Sequence, residues 1–98
     1  MAKRTIQRGR PTGTTTFEVA PARAFGAAVR GARTEQGVAQ ETLAHLAGIE
    51  RSHMGKIERG ERNVTILNII RISSVLDRPA SELLRCAESK PRGTHDAP

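Results

Sequence analysis

Apart from its histidines, this chain carries only two aromatic residues, Phe17 and Phe25. A core must then be assembled from Leu, Ile, Val, Ala and Met, which favours helices packed on one another over a sandwich of sheets. A length of 98 residues suits one domain with a modest core and leaves no room for a second, ligand-sensing one. The apolar spacing agrees. Ala22, Phe25, Val29 and Ala32 recur at intervals of three and four as one helical stripe, which Pro21 can open and Gly37 stops. Gln40 to Ala47 forms a second short helix carrying Leu43, Ala44, Leu46 and Ala47, closed by Gly48. Ile49, Met54 and Ile57 mark the buried side of a third, terminated by Gly60. Thr65 can cap a fourth, where Ile66, Leu67, Ile69, Ile70, Ile72, Val75 and Leu76 make the most apolar segment. Such wide coverage fits a central core helix, or one that also serves an interface. Pro79 starts a fifth, with Leu83 and Leu84. The expected fold is all-α: five helices joined by short turns over residues 17–88, with flexible tails at 1–16 and 89–98 that hold few apolar side chains.

The formal charge of +6 is unevenly placed. Lys3, Arg4, Arg8 and Arg10 stand in residues 1–16 without an acid, so four of the six excess charges lie in that arm. A basic arm on a body of mixed sign suits an acidic polymer, nucleic acid before anionic membrane. Membrane attachment has little support, since no apolar run approaches the roughly 20 residues of a spanning helix and the arm has no apolar face. Met1–Arg10 is not followed by the apolar stretch of a signal peptide. The single cysteine, Cys86, allows no intrachain disulfide, which fits a cytoplasmic location.

The informative stretch is Gln40 to Arg59. Two helices meeting steeply need a small residue where their backbones approach and a residue able to take positive φ at the turn; Ala44 and Gly48 supply them. Leu43, Ala47, Ile49, Met54 and Ile57 fall where such a unit buries side chains, and Arg51, Ser52, Gly55, Lys56 and Arg59 fall on the other side of the third helix. That helix can bury one face and present polar donors on the other, as a reader of the DNA major groove must.

Gln40-Glu41-Thr42-Leu43-Ala44, Ala47-Gly48-Ile49, Met54 and Ile57-Glu58-Arg59-Gly60 together resemble the Cro/phage-repressor (XRE-type) helix-turn-helix family. The resemblance spans residues 22–85, and Ile57-Glu58-Arg59 followed by Arg62-Asn63-Val64-Thr65 is similar to the controller proteins of restriction–modification systems. It implies a lambda-repressor-like DNA-binding domain. By the same resemblance, Arg51, Ser52 and Lys56 match positions that reach base edges. Arg51 and Lys56 are then donors for guanine O6 and N7, and each good bidentate pair contributes about 1–3 kcal/mol of discrimination. Gln40 matches a residue that grips a phosphate and braces the third helix. His53, Arg59, Arg62 and Asn63 match flanking positions that meet the DNA backbone, giving register and salt-dependent affinity rather than sequence choice. Glu50 stands where many relatives place a Ser or Thr cap. It suits a helix N-terminus electrostatically but not a nearby phosphate, so it either accepts from cytosine N4 or orients Arg51. Gly55 costs its helix about 1 kcal/mol relative to Ala; it either lets the helix backbone approach DNA or is a tolerated neutral residue.

Other signals read as structure or as weaker function. Arg33 and Glu58 match positions that pair across the first and third helices of the family and are assigned to stability. His45, His53 and His95 are scattered, with no cysteine at ligand spacing, so neither a metal nor another cofactor is expected. Ser52 and His53 are adjacent but lack a third orienting group and an oxyanion hole, so the chain is not expected to be an enzyme. Arg8-Gly9-Arg10-Pro11 resembles the core of an AT-hook, in which arginines enter a narrow A·T minor groove and Gly lets the backbone reach its floor; the alternative is a basic tail with nonspecific attraction alone.

One such domain reads too few base pairs to select a site, so a homodimer on a two-fold related operator in double-stranded DNA is expected, with Ile72, Val75, Leu76, Leu83 and Leu84 as candidates for core plus interface. The leading expectation is a sequence-specific transcriptional regulator. The alternatives are an antitoxin-like protein that binds a protein partner and autoregulates through DNA, and a nonspecific architectural DNA binder.

Overall fold

A computed structural model describes residues 17–88, so the arm at 1–16 with Arg8, Gly9, Arg10 and Pro11, and the tail at 89–98, lie outside the described residues. The described chain contains helices α1 (Val19–Glu35), α2 (Gln40–Ala47), α3 (Arg51–Glu58), α4 (Ile66–Leu76) and α5 (Ala80–Glu88), and no strand. The first begins two residues earlier than the proline alone suggests, placing Pro21 inside its first turn, where a missing N–H costs no intrahelical bond.

One terminating device recurs. After each of α1, α2, α3 and α4 a residue with positive φ stands at the end of the helix: Gly37, Gly48, Gly60 and Asp77. The following N–H reaches back to a carbonyl five residues earlier: Val38 to Arg33 at 3.0 Å, Ile49 to Ala44 at 2.9 Å, Glu61 to Lys56 at 2.8 Å and Arg78 to Ser73 at 3.0 Å. These bonds satisfy carbonyls the helix leaves over and turn the chain sharply, so short helices can fold back on one another. At the other end of α4, Thr65 Oγ1 accepts from the Asn68 N–H at 3.1 Å, the cap that the sequence signals.

The helices enclose one aliphatic core. Val29 from α1, Leu43 from α2, Met54 and Ile57 from α3, Ile72 and Leu76 from α4 and Leu83 from α5 are sealed from solvent, with Phe25, Ala32, Ala44, Ala47 and Ile49 around them. Burying each of the larger side chains contributes roughly 1.5–3 kcal/mol. Helix α1 is the spine: it runs along α5 and crosses α3, while α2 packs on both α3 and α4. Polar ties close the edges. Gln36 Nε2 donates to the Leu76 carbonyl at 2.8 Å, and Arg78 bridges Glu35 of α1 and Glu82 of α5.

Three of the five candidates for core plus interface belong to this core. Ile72, Leu76 and Leu83 are enclosed on all sides within one chain and cannot meet a second; Val75 is half-buried, and Leu84 alone is exposed. Apolar surface is also exposed at the start of α4, where Ile66, Leu67 and Ile70 are 74, 54 and 52% exposed, and at Leu46 of α2. No helix among the described residues is long and apolar enough to cross a membrane.

Candidate nucleic-acid interface

Helices α2 and α3 meet through a turn of three residues, 48–50. Gly48 takes φ 71° and ψ 31°, a conformation that crowds any β-carbon, and Ala44 is buried at the crossing as the small residue close approach requires. Ile49 then turns inward to the core. Glu50 occupies the N-cap of α3 without a side-chain capping bond, so the amides of the first turn stay open at that end. Glu50 and Arg51 form no ion pair with each other among the described residues.

The back of α3 is locked by one buried carboxylate. Arg33 of α1 donates from Nε to Glu58 Oε2 at 2.7 Å and from Nη2 to Oε1 at 2.9 Å, and Gln40 of α2 donates from Nε2 to Oε1 at 3.0 Å. The two side chains of the ion pair are 11% and 3% exposed. Arg33 Nη1 also donates to the Val38 carbonyl at 2.8 Å, pinning the turn that leads into α2. The hydrogen bond to Glu58 raises the Arg33 pKa above its already high value, so the guanidinium stays charged at any working pH. Three helices thus converge on Glu58, fixing the angle at which α3 is presented. Charge-assisted, bidentate geometry of this kind is among the stronger and more directional of protein hydrogen-bond arrangements.

The opposite face of α3 is the more open one. Arg51 and Ser52 are exposed on its first turn, and His53 and Lys56 are half-buried along its flank. Neither Arg51 nor Lys56 enters an ion pair among the described residues. Arg59, Arg62 and Asn63 continue the exposed surface beyond the helix, with Arg62 Nη1 donating to the Glu61 carbonyl at 3.2 Å. Gly55 is not part of the open face. It is buried, and a β-carbon there would stand 3.1 Å from Arg59 Nη1 and 3.5 Å from Gln40 Oε1. Its missing side chain leaves space that the tips of Gln40 and Arg59 border.

Gln40, Arg51, Ser52, His53, Lys56, Arg59, Arg62 and Asn63 thus belong to the α2–α3 unit and the loop that follows it. Two residues bear on this unit without having been singled out. Gly26 sits where α1 crosses the end of α3, and the available signal was a glycine in a helix interior. Glu61 forms a forked ion pair with Arg59, which only the fold of the turn at Gly60 discloses.

A bipartite helical unit braced from behind, with basic and hydroxyl side chains on the outer face of its second helix, defines a helix-turn-helix DNA-binding protein. The family model described as Helix-turn-helix (HTH_3) matches residues 29–83, and the chain belongs to this XRE-type family of DNA-binding transcriptional regulators. Among curated proteins it is similar to the control protein C.SmaI of Serratia marcescens, 38% identical over 56 residues that cover 57% of this chain and 67% of the relative. Among solved structures it is similar to the restriction–modification controller protein C.AhdI of Aeromonas hydrophila, with 45% identity, a TM-score of 0.64 and coverage of 65% of this chain and 97% of that one. It is also similar to SinR, a master regulator for biofilm formation, in a crystal structure in complex with DNA, with 33% identity, a TM-score of 0.59 and coverage of 61% and 97%.

Proposed function

We propose that this protein is a sequence-specific regulator of transcription that reads the DNA major groove with the outer face of α3. The observation that carries the reading is the contrast between the two faces of that helix. One is clamped through Glu58 to α1 and α2, while the other presents Arg51, Ser52 and Lys56 with their donors unengaged. A rigid helix with open donors meets the geometric demand of direct readout. Arg51 and Lys56 take guanine, Ser52 an adjacent base edge, and Glu50 a cytosine amine. Gln40, His53, Arg59, Arg62 and Asn63 meet phosphates on either side; Gln40 keeps one amide hydrogen for this after donating the other to Glu58.

The protein acts as a homodimer on an operator of two related half-sites about one helical turn apart. The exposed Ile66, Leu67 and Ile70 support an association surface on α4 in place of the residues now buried. Its likeness to proteins named as restriction–modification controllers favours a role of that kind, with operator occupancy following the protein's own concentration.

Selecting bound sites from random duplexes with the full chain tests the reading. A two-fold related motif is expected, with a specificity ratio over random DNA of about 10³ or more. Arg51→Ala relaxes the preference at one position per half-site, whereas Gln40→Ala weakens all sequences alike. Equal losses on cognate and random DNA for Arg51→Ala would sink its assignment as a base reader.

A further inference from the structure

We propose that Glu61 sets the strength of phosphate binding beside α3, by occupying the Arg59 guanidinium when DNA is absent. The inference deepens the DNA-reading role proposed above and rests on it. Arg59 Nε donates to Glu61 Oε2 at 2.9 Å and Nη2 donates to Oε1 at 3.2 Å, so the fork of the guanidinium is matched to both carboxylate oxygens.

Both ends of this pair are held by the backbone. The Arg59 N–H donates to Gly55 at 3.1 Å as the last turn of α3, and the Glu61 N–H returns to the Lys56 carbonyl at 2.8 Å across the positive-φ turn at Gly60. The other edge of the guanidinium lies over Gly55, in space that a side chain there would fill. The contact is therefore built into the end of α3. The hydrogen bond from Arg59, with the charges of Arg59, Arg62 and Lys56 behind it, holds the Glu61 carboxyl below its usual range, so it is anionic wherever DNA binding is measured.

A phosphate and a carboxylate offer a guanidinium the same forked geometry. A DNA phosphate must then either displace Glu61 from Arg59 or meet a cation that is already half neutralised. In both cases Glu61 lowers the affinity contributed by the Arg59–phosphate contact and leaves the base contacts of Arg51, Ser52 and Lys56 untouched. Cognate and random DNA lose in equal proportion. Glu61 is in these terms a positioning residue that acts through Arg59, and its effect limits retention on nonspecific DNA without changing which sequence is chosen.

Binding of the full chain to a selected site and to a random duplex, across a salt series, tests this with E61Q, R59A and the double variant. E61Q is expected to bind both duplexes roughly two- to fivefold more tightly. The slope of log affinity against log salt is expected to stay the same where the phosphate displaces Glu61, and to steepen by about one where Glu61 stays paired in the wild-type complex. In the R59A background the same substitution gives no gain. Unchanged or weaker binding by E61Q overturns the proposal, and so does a gain that survives undiminished without Arg59. Failure of the underlying reading shows separately, as a wild-type chain that does not distinguish the selected site from random DNA.

Discussion

Gly26 of α1 rests directly against the backbone of Glu58 at the end of α3: a β-carbon at position 26 would stand 2.6 Å from the Glu58 carbonyl oxygen and 2.8 Å from its carbonyl carbon. One turn earlier on α1, Arg23 approaches Gly60 as closely, with 2.6 Å between the Arg23 α-carbon and a β-carbon built on Gly60. The C-terminal end of the proposed reading helix is therefore seated on α1 by backbone contact, with no side chain between. The Glu58 carboxylate then ties the same residue to Arg33 and Gln40. The orientation of α3 is set at one point by two independent means.

Gly26→Ala should accordingly push α3 off its seat. Backbone cannot move aside as a flexible side chain does, so a loss of about 1–3 kcal/mol in urea unfolding is expected, with weaker DNA binding in the fraction that remains folded. Gly31→Ala on the same helix is the matched control. Nothing lies within 4 Å of its would-be β-carbon. There alanine should stabilise by about 0.5–1 kcal/mol through helix propensity alone. Similar effects at the two positions would refute the close approach.

Arg33→Met leaves the Glu58 carboxylate buried with Gln40 as its one remaining side-chain donor. Breaking a buried pair from one side costs about 3–5 kcal/mol, because the surviving charge is stranded. The double replacement Arg33→Met with Glu58→Leu should recover most of that loss, since no charge is then left uncompensated. Chemical denaturation of the single and double variants measures both. A double variant no more stable than the single would mean that the pair contributes attraction beyond its own desolvation.

Helix ends and core were readable from the chain because both are local or periodic. Gly37, Gly48 and Gly60 each sit at a positive-φ terminus, Thr65 caps α4, and Leu43, Met54 and Ile57 are buried as their spacing requires. Hydrophobicity alone could not sort α4. Its seven large aliphatic residues cover more than one face, and only tertiary packing decides that Ile72 and Leu76 go inside while Ile66, Leu67 and Ile70 stay out. Gly55 and Glu61 were opaque for a different reason. Their roles depend on where the Arg59 side chain lies, which no periodicity encodes.

Asp77 occupies the terminating position that glycine holds in α1, α2 and α3, with φ 55° and ψ 44°. A left-handed conformation costs an L-residue roughly 1–2 kcal/mol, less for Asp than for most, and a carboxylate at a helix C-terminus opposes the helix dipole as well. Asp77→Gly is therefore expected to raise stability by about 0.5–1 kcal/mol. The Arg78–Glu35 and Arg78–Glu82 ion pairs do not involve Asp77 and should be unaffected. Thermal or urea unfolding decides, and an unchanged or lowered midpoint would show that the Asp77 side chain contributes something its geometry does not disclose.

The exposed start of α4 gives the proposed dimer a test that spares the fold. Ile66 and Ile70 lie one turn apart and Leu67 beside them, all more than half exposed, so replacing Ile70 with Lys removes nothing from the core. In a monomer this change is expected to alter stability by less than about 0.5 kcal/mol. In a dimer that buries the patch it puts an unpaired ammonium into an apolar contact, weakening association by about tenfold or more. Sedimentation over a concentration series separates the two. Leu76→Ala, by contrast, should unfold the chain rather than dissociate it, because Leu76 is fully enclosed and its truncation costs about 2–5 kcal/mol. If Ile70→Lys dimerises as the unaltered chain does, the association surface is not on this part of α4. If the unaltered chain is monomeric at tens of micromolar, the half-sites must be joined on the DNA itself, and cooperativity there becomes the quantity to measure.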